Sequence, residues 1–238
     1  MTQDKPAVVC VFCGSTAGND PVHLEAARAL AYELHKNNVH LVYGGGNTGL
    51  MGEIAKTLVS LSGPQSVHGV IPRAMIQSTE MNVAGKDQTT PATARGKTAE
   101  RVVSDSLDET AIADLTYGTT TIVSDMHTRK RLMAKLVLQG GPGSGFVAMA
   151  GGFGTIEEVM EMTTWNQLGI HNVGVVLLNI NGYWDGLLLW IRTAVHEGFI
   201  NGKNGSILME AHDVKEVWPI LVEYQCSSER YELNWGQE

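Results

Sequence analysis

The stretch Phe146–Thr164, FVAMAGGFGTIEEVMEMTT, decides the fold. Its first five residues form a short apolar run that is typical of a buried strand in a parallel sheet. Gly151, Gly152 and Gly154 follow, and Thr155 is predicted to begin an amphipathic helix. A strand that turns through glycines into a helix directs several backbone N–H groups, and the positive end of the helix dipole, toward one point. The stretch therefore predicts a binding site for a phosphate or another small anion.

Two interpretations of Glu158, in the first turns of this helix, remain open. Thr155 and Glu158 have the T-x-x-E spacing of a capping box, in which the glutamate only bonds back to the helix N-terminus. Alternatively, Glu158 lies opposite Ile156 on the helix and faces a cleft above the glycines. In that position its carboxylate could stabilise positive charge, or orient water, beside a bound ligand.

Apolar strands and amphipathic helices alternate along the whole chain. Strands are predicted at 7–13, 39–43, 67–71, 117–123, 146–150, 173–180 and 207–209, each followed by a helix except where the pattern is lost after the third. This alternation predicts an α/β fold, a doubly wound, Rossmann-like parallel sheet with helices on both faces and a site at its carboxyl edge. We expect residues 1–238 to form a single domain, with an insertion at about 77–114 that contains some helix.

The composition limits the possible partners. A chain with 43% hydrophobic and 18% charged residues is typical of a soluble globular protein, and its net charge of −8 does not favour a nucleic acid or an anionic membrane. No apolar run approaches the length of a membrane span, and the first residues do not resemble a signal peptide. Three cysteines, an odd number, favour a reducing compartment, and we expect a cytoplasmic protein. Cys10 and Cys13 fall on opposite faces of a strand, so no metal site is expected.

Two further segments follow predicted strands. Gly44–Gly49 contains G-x-G-x-x-G between a strand and a helix, which allows either a dinucleotide-binding loop or a tight turn that packs or holds a phosphate. Arg129, Lys130 and Arg131 lie at the beginning of a helix, where positive charge opposes the helix dipole. They form either a solvated basic face or, through Arg129, part of the same cleft as Glu158.

Four motifs, in order, resemble one known family. Ala150–Glu158 (AGGFGTIEE) resembles the P-G-G-x-G-T-x-x-E signature of the LOG family, the cytokinin riboside 5′-monophosphate phosphoribohydrolases, formerly called lysine decarboxylase-like proteins. Asp125–Lys130 (DMHTRK), Gly44–Gly52 (GGGNTGLMG) and Phe12–Ser15 (FCGS) are similar to the other motifs of the family. Ala150 stands where the signature has proline, which loosens the entry to the turn but removes no reactive side chain.

The resemblance implies a function and a set of site residues. The implied reaction is hydrolysis of the N-glycosidic bond of an N6-substituted adenosine 5′-monophosphate, releasing the free base and ribose 5-phosphate. Glu158 is the implied catalytic carboxylate and Arg129 its catalytic partner, because departure of the base leaves an oxocarbenium-like ribose that a carboxylate stabilises. The residues implied to bind substrate are Gly14, Ser15, Gly45, Gly46, Met126, His127, Lys130, Gly151, Gly152, Gly154, Thr155 and Glu157. No cofactor or metal is expected, and the family implies a homodimer with Asp125–Leu138 near its interface.

Three other functions remain open at this point. The chain could be a nucleosidase that prefers AMP itself, or a binding protein that carries a nucleotide or a cofactor such as the molybdenum cofactor without hydrolysing it. It could also be a pyridoxal-phosphate decarboxylase, which needs a lysine placed to form a Schiff base. Lys130 is the only obvious candidate for that lysine in the predicted cleft.

Overall fold

The computed structural model describes residues 5–76, 101–103 and 110–235 of the chain. The described strands are β1 Val8–Phe12, β2 His40–Tyr43, β3 Val67–Pro72, β4 Arg101–Val103, β5 Thr110–Asp114, β6 Gly118–Val123, β7 Gly145–Ala148, β8 Gly174–Leu178 and β9 Leu208–Ala211. The α-helices that lie wholly within the described residues are α1 Val22–Lys36, α2 Gly49–Ser62, α3 Met126–Leu138, α4 Phe153–Gln167, α5 Asp185–His196 and α6 Val214–Glu223. The predicted alternation of strand and helix is confirmed by these elements.

The nine described strands form one sheet in the order β4-β5-β6-β3-β2-β1-β7-β8-β9. Seven neighbouring strands, from β6 to β9 along the sheet, pair in parallel, whereas β4 with β5 and β5 with β6 pair antiparallel. The predicted doubly wound α/β fold is confirmed, but the sheet is mixed at one edge. The two antiparallel strands lie in the stretch that the sequence predicts to be an insertion with some helix. The helical part of that prediction falls largely outside the described residues.

The strand order reverses between β1 and β7. The chain moves outward from β1 through β2, β3 and β6 on one side, then returns to the other side of β1 and continues through β7, β8 and β9. Cys10 pairs with Phe146 and Phe12 with Ala148 across this boundary. In an open α/β sheet, the loops beyond the carboxyl ends of the two central strands separate at such a point and leave a crevice.

Helices cover both faces of the sheet, and each face has its own buried core. The first core combines α1, α2 and α6, and the second combines α3, α4 and α5. Cys13 belongs to the first core and Cys10 to the second, so the two thiols do lie on opposite faces of the sheet. None of the helices in the described ranges is long and apolar enough to cross a membrane.

The beginning of α4 differs from the sequence prediction. The helix begins at Phe153, two residues before the predicted Thr155. Its buried face contains Val159 and Met162, whereas the apolar Ile156, on the side opposite Glu158, is exposed. The spacing of apolar residues does not show which side of α4 is buried, because the polar Glu158 occupies the buried side in the first turns of the helix.

Candidate active site

The turn from β7 into α4, residues 150–154, is called the glycine turn below. Gly152 is the N-cap of α4 and supplies no side-chain cap, so Thr155 is the third residue of the helix and not its cap. The capping-box interpretation of Thr155 and Glu158 is therefore wrong. A side chain at Gly152 or Gly154 would meet nothing within 4 Å, whereas one at Gly151 would overlap the buried hydroxyl of Thr155. Thr155 N and Ile156 N donate to the carbonyl oxygen of Gly152, whereas the N–H groups of Phe153 and Gly154 precede the first intrahelical bonds and are left for another acceptor.

Glu158 and Arg129 meet between α4 and α3. Arg129 Nη1 lies 3.2 Å from Glu158 Oε1, and the two residues are only 8% and 7% exposed. Arg129 Nε also donates a hydrogen bond to the carbonyl oxygen of Val70 in β3, 3.1 Å away. The structure thus brings together the two residues that the sequence nominates as catalytic, from two separate crossover helices.

The contact between these two residues is an ion pair without an aligned hydrogen bond. Although Glu158 Oε1 is buried and close to the guanidinium, it accepts no hydrogen bond from the described residues. Nearly all buried polar atoms in proteins have a hydrogen-bond partner, so this oxygen retains the capacity to accept one from a ligand or a water molecule. Burial raises the pKa of Glu158, and the charge of Arg129 opposes that rise.

Lys130 forms a second charged cluster beside the first. Its ammonium lies 2.5 Å from Glu157 Oε1 and 3.1 Å from Glu161 Oε2. Burial alone would lower the pKa of Lys130, but hydrogen bonds to the two carboxylates and their charges raise it. Of the three consecutive cations, only Arg131 is exposed to solvent. The interpretation of this segment as a solvated basic face is therefore wrong for Arg129 and Lys130.

The motif at the beginning of α3 positions Arg129. Asp125 is the N-cap, and its carboxylate accepts hydrogen bonds from the backbone N–H and the hydroxyl of Thr128. These bonds hold the pKa of Asp125 well below its usual range. Met126 contacts the guanidinium, with its sulfur 3.9 Å from Arg129 Nη1, and is partly exposed. His127 is exposed and makes no contact with the cavity described below.

The loop after β2 packs beneath Arg129. A side chain at Gly44 would overlap Arg129 Nη2, so the guanidinium occupies the space above this glycine. Gly45 has a left-handed φ of 74° and packs against Val70 and Ile71, and Gly46 packs against Met51. The glycines of this loop therefore allow close packing, and neither Gly45 nor Gly46, both predicted to bind substrate, lines the cavity described below.

A cavity of about 580 Å³ opens where the strand order reverses. Gly14 and Ser15 line it after β1, and Gly151 and Gly152 line it after β7. The remaining lining residues are Thr16, Ala17, Gly18, Asn19, Asp20, His23, Leu50, Ala150 and Tyr183. Glu158 and Arg129 do not line this cavity. The candidate site thus has two parts, the cavity and the buried ion pair, and both adjoin the first turns of α4.

Comparison with known proteins assigns the chain to a family. A family model described as "Possible lysine decarboxylase" matches residues 51–221. A cytokinin riboside 5′-monophosphate phosphoribohydrolase from Arabidopsis thaliana is 38% identical over 232 residues, which cover 97% of this chain and 90% of that protein. The chain belongs to the LOG family.

A second LOG-related protein is longer than this chain. A "Bifunctional cytokinin biosynthesis protein" from Fusarium pseudograminearum is 45% identical over 235 residues, which cover 99% of this chain but only 44% of that protein. Among solved structures, the molybdenum cofactor carrier protein of Chlamydomonas reinhardtii has a TM-score of 0.54 and 17% identity, over 91% of this LOG chain and 96% of the carrier. At that identity the likeness concerns the fold alone.

Sequence reasoning missed two contacts of the LOG-family site. Tyr183 precedes α5 and lines the cavity, and its hydroxyl donates a hydrogen bond to the carbonyl oxygen of Gly151. The carbonyl of Val70 holds Arg129 in place. Both contacts join residues far apart in the chain, so no local spacing reveals them. The left-handed Asn181 and Gly182 do mark a turn just before Tyr183, and such a pair is a usable signal.

Proposed function

We propose that this chain hydrolyses the N-glycosidic bond of N6-substituted adenosine 5′-monophosphates, with release of the free base and ribose 5-phosphate. The proposal rests on one structural observation above all, the buried Glu158–Arg129 pair beside the open glycine turn. The names of the relatives, which are cytokinin riboside 5′-monophosphate phosphoribohydrolases, support the same reaction.

The phosphate lies on the glycine turn in this proposal. The free amides and the dipole of α4 favour an anion there, and the open space at Gly152 and Gly154 leaves room for it. Glu158 follows Gly152 by six residues, which corresponds to about 9 Å along a helix. A nucleoside 5′-monophosphate can reach across that distance, with its phosphate at the turn and its ribose at the carboxylate.

The chemistry then centres on Glu158. As the bond between C1′ and the base breaks, its electron pair leaves with the base, and the ribose acquires oxocarbenium character. The Glu158 carboxylate stabilises that charge more than it stabilises the ground state, and it orients the water whose oxygen forms the new bond to C1′. The raised pKa of Glu158 makes it a better proton acceptor than an exposed glutamate, so it can take the proton that the water loses and pass it to the departing base, which is released as the neutral free base.

Arg129 and Lys130 have supporting roles. Arg129, held by Val70 and positioned over Gly44, keeps the carboxylate ionised and faces the phosphate side of the ribose. Lys130 contributes positive field and orders Glu157. The raised pKa of Lys130 keeps its amine protonated, which does not suit the neutral nucleophile that a Schiff-base decarboxylase requires. This lysine therefore favours the hydrolase over the decarboxylase that the family description names.

One assay tests the function and separates its alternatives. The purified chain is incubated with AMP and with N6-isopentenyl-AMP, and both the free base and ribose 5-phosphate are quantified. We expect the two products in equal amounts, with the higher kcat/KM for the N6-substituted nucleotide. A higher kcat/KM for AMP would make the chain an AMP nucleosidase. If the chain binds either nucleotide but forms no product, it is a nucleotide carrier and the proposed hydrolase activity is wrong.

We further propose that the chain acts as a cytoplasmic homodimer and that residues 1–238 form one functional domain. Exposed apolar side chains on adjacent helices support the dimer: Phe153, 94% exposed, and Ile156 on α4, with Met126 and Leu138 on α3. A surface of this kind favours association with a second copy. Light scattering on the eluting protein should give a mass close to twice 25.7 kDa.

A further inference from the structure

Tyr183 lines the cavity and contacts the glycine turn. Its side chain is 45% exposed, and its hydroxyl donates a hydrogen bond of 2.6 Å to the carbonyl oxygen of Gly151. Gly151 is 32 residues away in the sequence, so the contact links the loop after β8 to the loop after β7. Neither the family signature nor the catalytic pair includes this tyrosine.

The planarity of the peptide bond gives this hydrogen bond a consequence. The carbonyl of Gly151 and the N–H of Gly152 belong to the same trans peptide unit, so they point in opposite directions. A bond that fixes the carbonyl toward Tyr183 also fixes the direction of the Gly152 N–H. Because glycine has no side chain to restrict rotation on either side of this unit, its orientation depends on such external contacts.

The carbonyls on both sides of this peptide are also held. The carbonyl oxygen of Ala150 accepts a hydrogen bond of 2.9 Å from Gly14 N, and that of Gly152 accepts bonds from Thr155 N and Ile156 N at 3.1 and 3.2 Å. Three successive carbonyls are therefore engaged, and the N–H groups of the three peptide units they belong to are directed away from those partners. Backbone N–H groups that are left without a partner in this way are available to an anion.

Tyr183 is itself held in position. The side chain of the buried Asn179 accepts a hydrogen bond of 2.7 Å from Trp184 N and donates one of 2.8 Å to Asp185. Asn181 and Gly182, both with left-handed φ, form the turn that connects Asn179 to Tyr183. The ring of His23 lies edge-on to the Tyr183 ring, with 5.5 Å between centroids. The hydroxyl therefore approaches Gly151 from a fixed direction.

We propose that Tyr183 is a positioning residue for phosphate binding: its hydroxyl orients the Gly151–Gly152 peptide so that the Gly152 N–H faces the phosphate of the substrate. This inference rests on the proposed function, since it assigns the phosphate to the glycine turn. The hydroxyl of Tyr183 matters more in this chain because Ala150 leaves the entry to the glycine turn less restricted than a proline would.

The test compares binding of AMP and adenosine to the full chain by calorimetry. In Tyr183→Phe, which removes only the hydroxyl, we expect the Kd for AMP to rise roughly tenfold, the scale of one lost hydrogen bond to a charged group, while the Kd for adenosine changes less than about twofold. The matched control is Tyr32→Phe, since Tyr32 is similarly exposed but lies on α1 outside this cavity. This variant should bind both ligands as the wild type does.

Kinetics and stability complete the test. Because the phosphate is bound equally in the ground state and the transition state, Tyr183→Phe should raise KM for a nucleoside 5′-monophosphate with kcat nearly unchanged. Its thermal unfolding midpoint should match that of the wild type. Equal weakening of AMP and adenosine, no weakening of AMP, or a wild type that binds AMP no better than adenosine would each overturn the proposal. If AMP binding responds as expected but no product forms, the role of Tyr183 stands and the hydrolase fails.

Discussion

Glu158 and Arg129, from α4 and α3, are buried in contact with each other, 3.2 Å apart, yet Glu158 Oε1 accepts no hydrogen bond from the described residues. A buried ion pair contributes little to stability unless hydrogen bonds also satisfy its charges, because removing both charges from water is costly. Here Arg129 is satisfied partly by Val70, and the carboxylate retains an open acceptor. Such an arrangement is better explained by function than by stability.

The first prediction concerns the carboxylate itself. Replacing Glu158 by Gln keeps the size of the side chain but removes the charge that faces the developing oxocarbenium ion. We expect kcat to fall by ~10²–10³, the usual effect of losing one oriented group in an active site. The Kd for AMP should change little, since the phosphate lies on the glycine turn. Steady-state rates and calorimetry on the same preparation measure both quantities.

A matched control is available at Glu53. This carboxylate is also buried, and it pairs with Arg28 and Lys56 between α1 and α2, outside the cavity. Glu53→Gln makes the same chemical change and should lower stability while leaving kcat unaltered. If the two variants lose turnover equally, the effect of Glu158→Gln comes from general destabilisation, and the catalytic assignment is lost.

The second prediction uses the packing of Arg129 over Gly44. The φ of Gly44 is not left-handed, so an alanine fits the backbone, but its methyl group would overlap the guanidinium and lie 3.0 Å from Met51 Sδ. The guanidinium of Arg129 must then shift from its position beside Glu158. We expect Gly44→Ala to reduce kcat/KM by roughly 10- to 100-fold, because small displacements of catalytic groups are costly.

The control for this variant is Gly186→Ala on α5. A side chain at Gly186 would meet nothing within 4 Å, and alanine is the stronger helix former. This variant should retain full activity and be at least as stable as the wild type. Full activity in Gly44→Ala as well would show that the position of Arg129 is not critical.

The third prediction is a pH dependence. Burial raises the pKa of Glu158, so its carboxylate is protonated, and thus neutral, at a higher pH than an exposed glutamate. If the reaction needs the ionised form, kcat/KM falls as the pH drops through this raised pKa, and the midpoint lies above the ordinary glutamate range. The residual activity of Glu158→Gln should lack this acidic limb. If Glu158→Gln shows the same loss of activity at low pH, the group that titrates is not Glu158.

Much of this site follows from the sequence because strand, glycine turn and helix are local patterns. The seven parallel strands, the site at their carboxyl edge and the proximity of Glu158 to Arg129 follow from the sequence, whereas the antiparallel strands β4 and β5 do not. The first turn of α4 was misplaced, since Gly152 and Gly154 do not signal a helix, although the helix already begins at Phe153. Contacts between distant residues, such as Tyr183 with Gly151, depend on how the loops meet in three dimensions and have no local pattern.

The fourth prediction concerns stability in acid. His171 is buried, its Nε2 lies 2.8 Å from the carbonyl oxygen of Met162, and burial lowers the pKa of His171 from 6.5 to about 4. The unfolded chain therefore takes up a proton before the folded chain does, so the free energy of unfolding falls as the pH drops from about 7 toward 4, by up to ~3 kcal/mol. Urea unfolding across this range should show a smaller loss for His171→Gln than for the wild type. His196→Gln, at an exposed position, should follow the wild type. An equal acid loss in all three proteins would mean that His171 is protonated in the folded state or that other groups dominate.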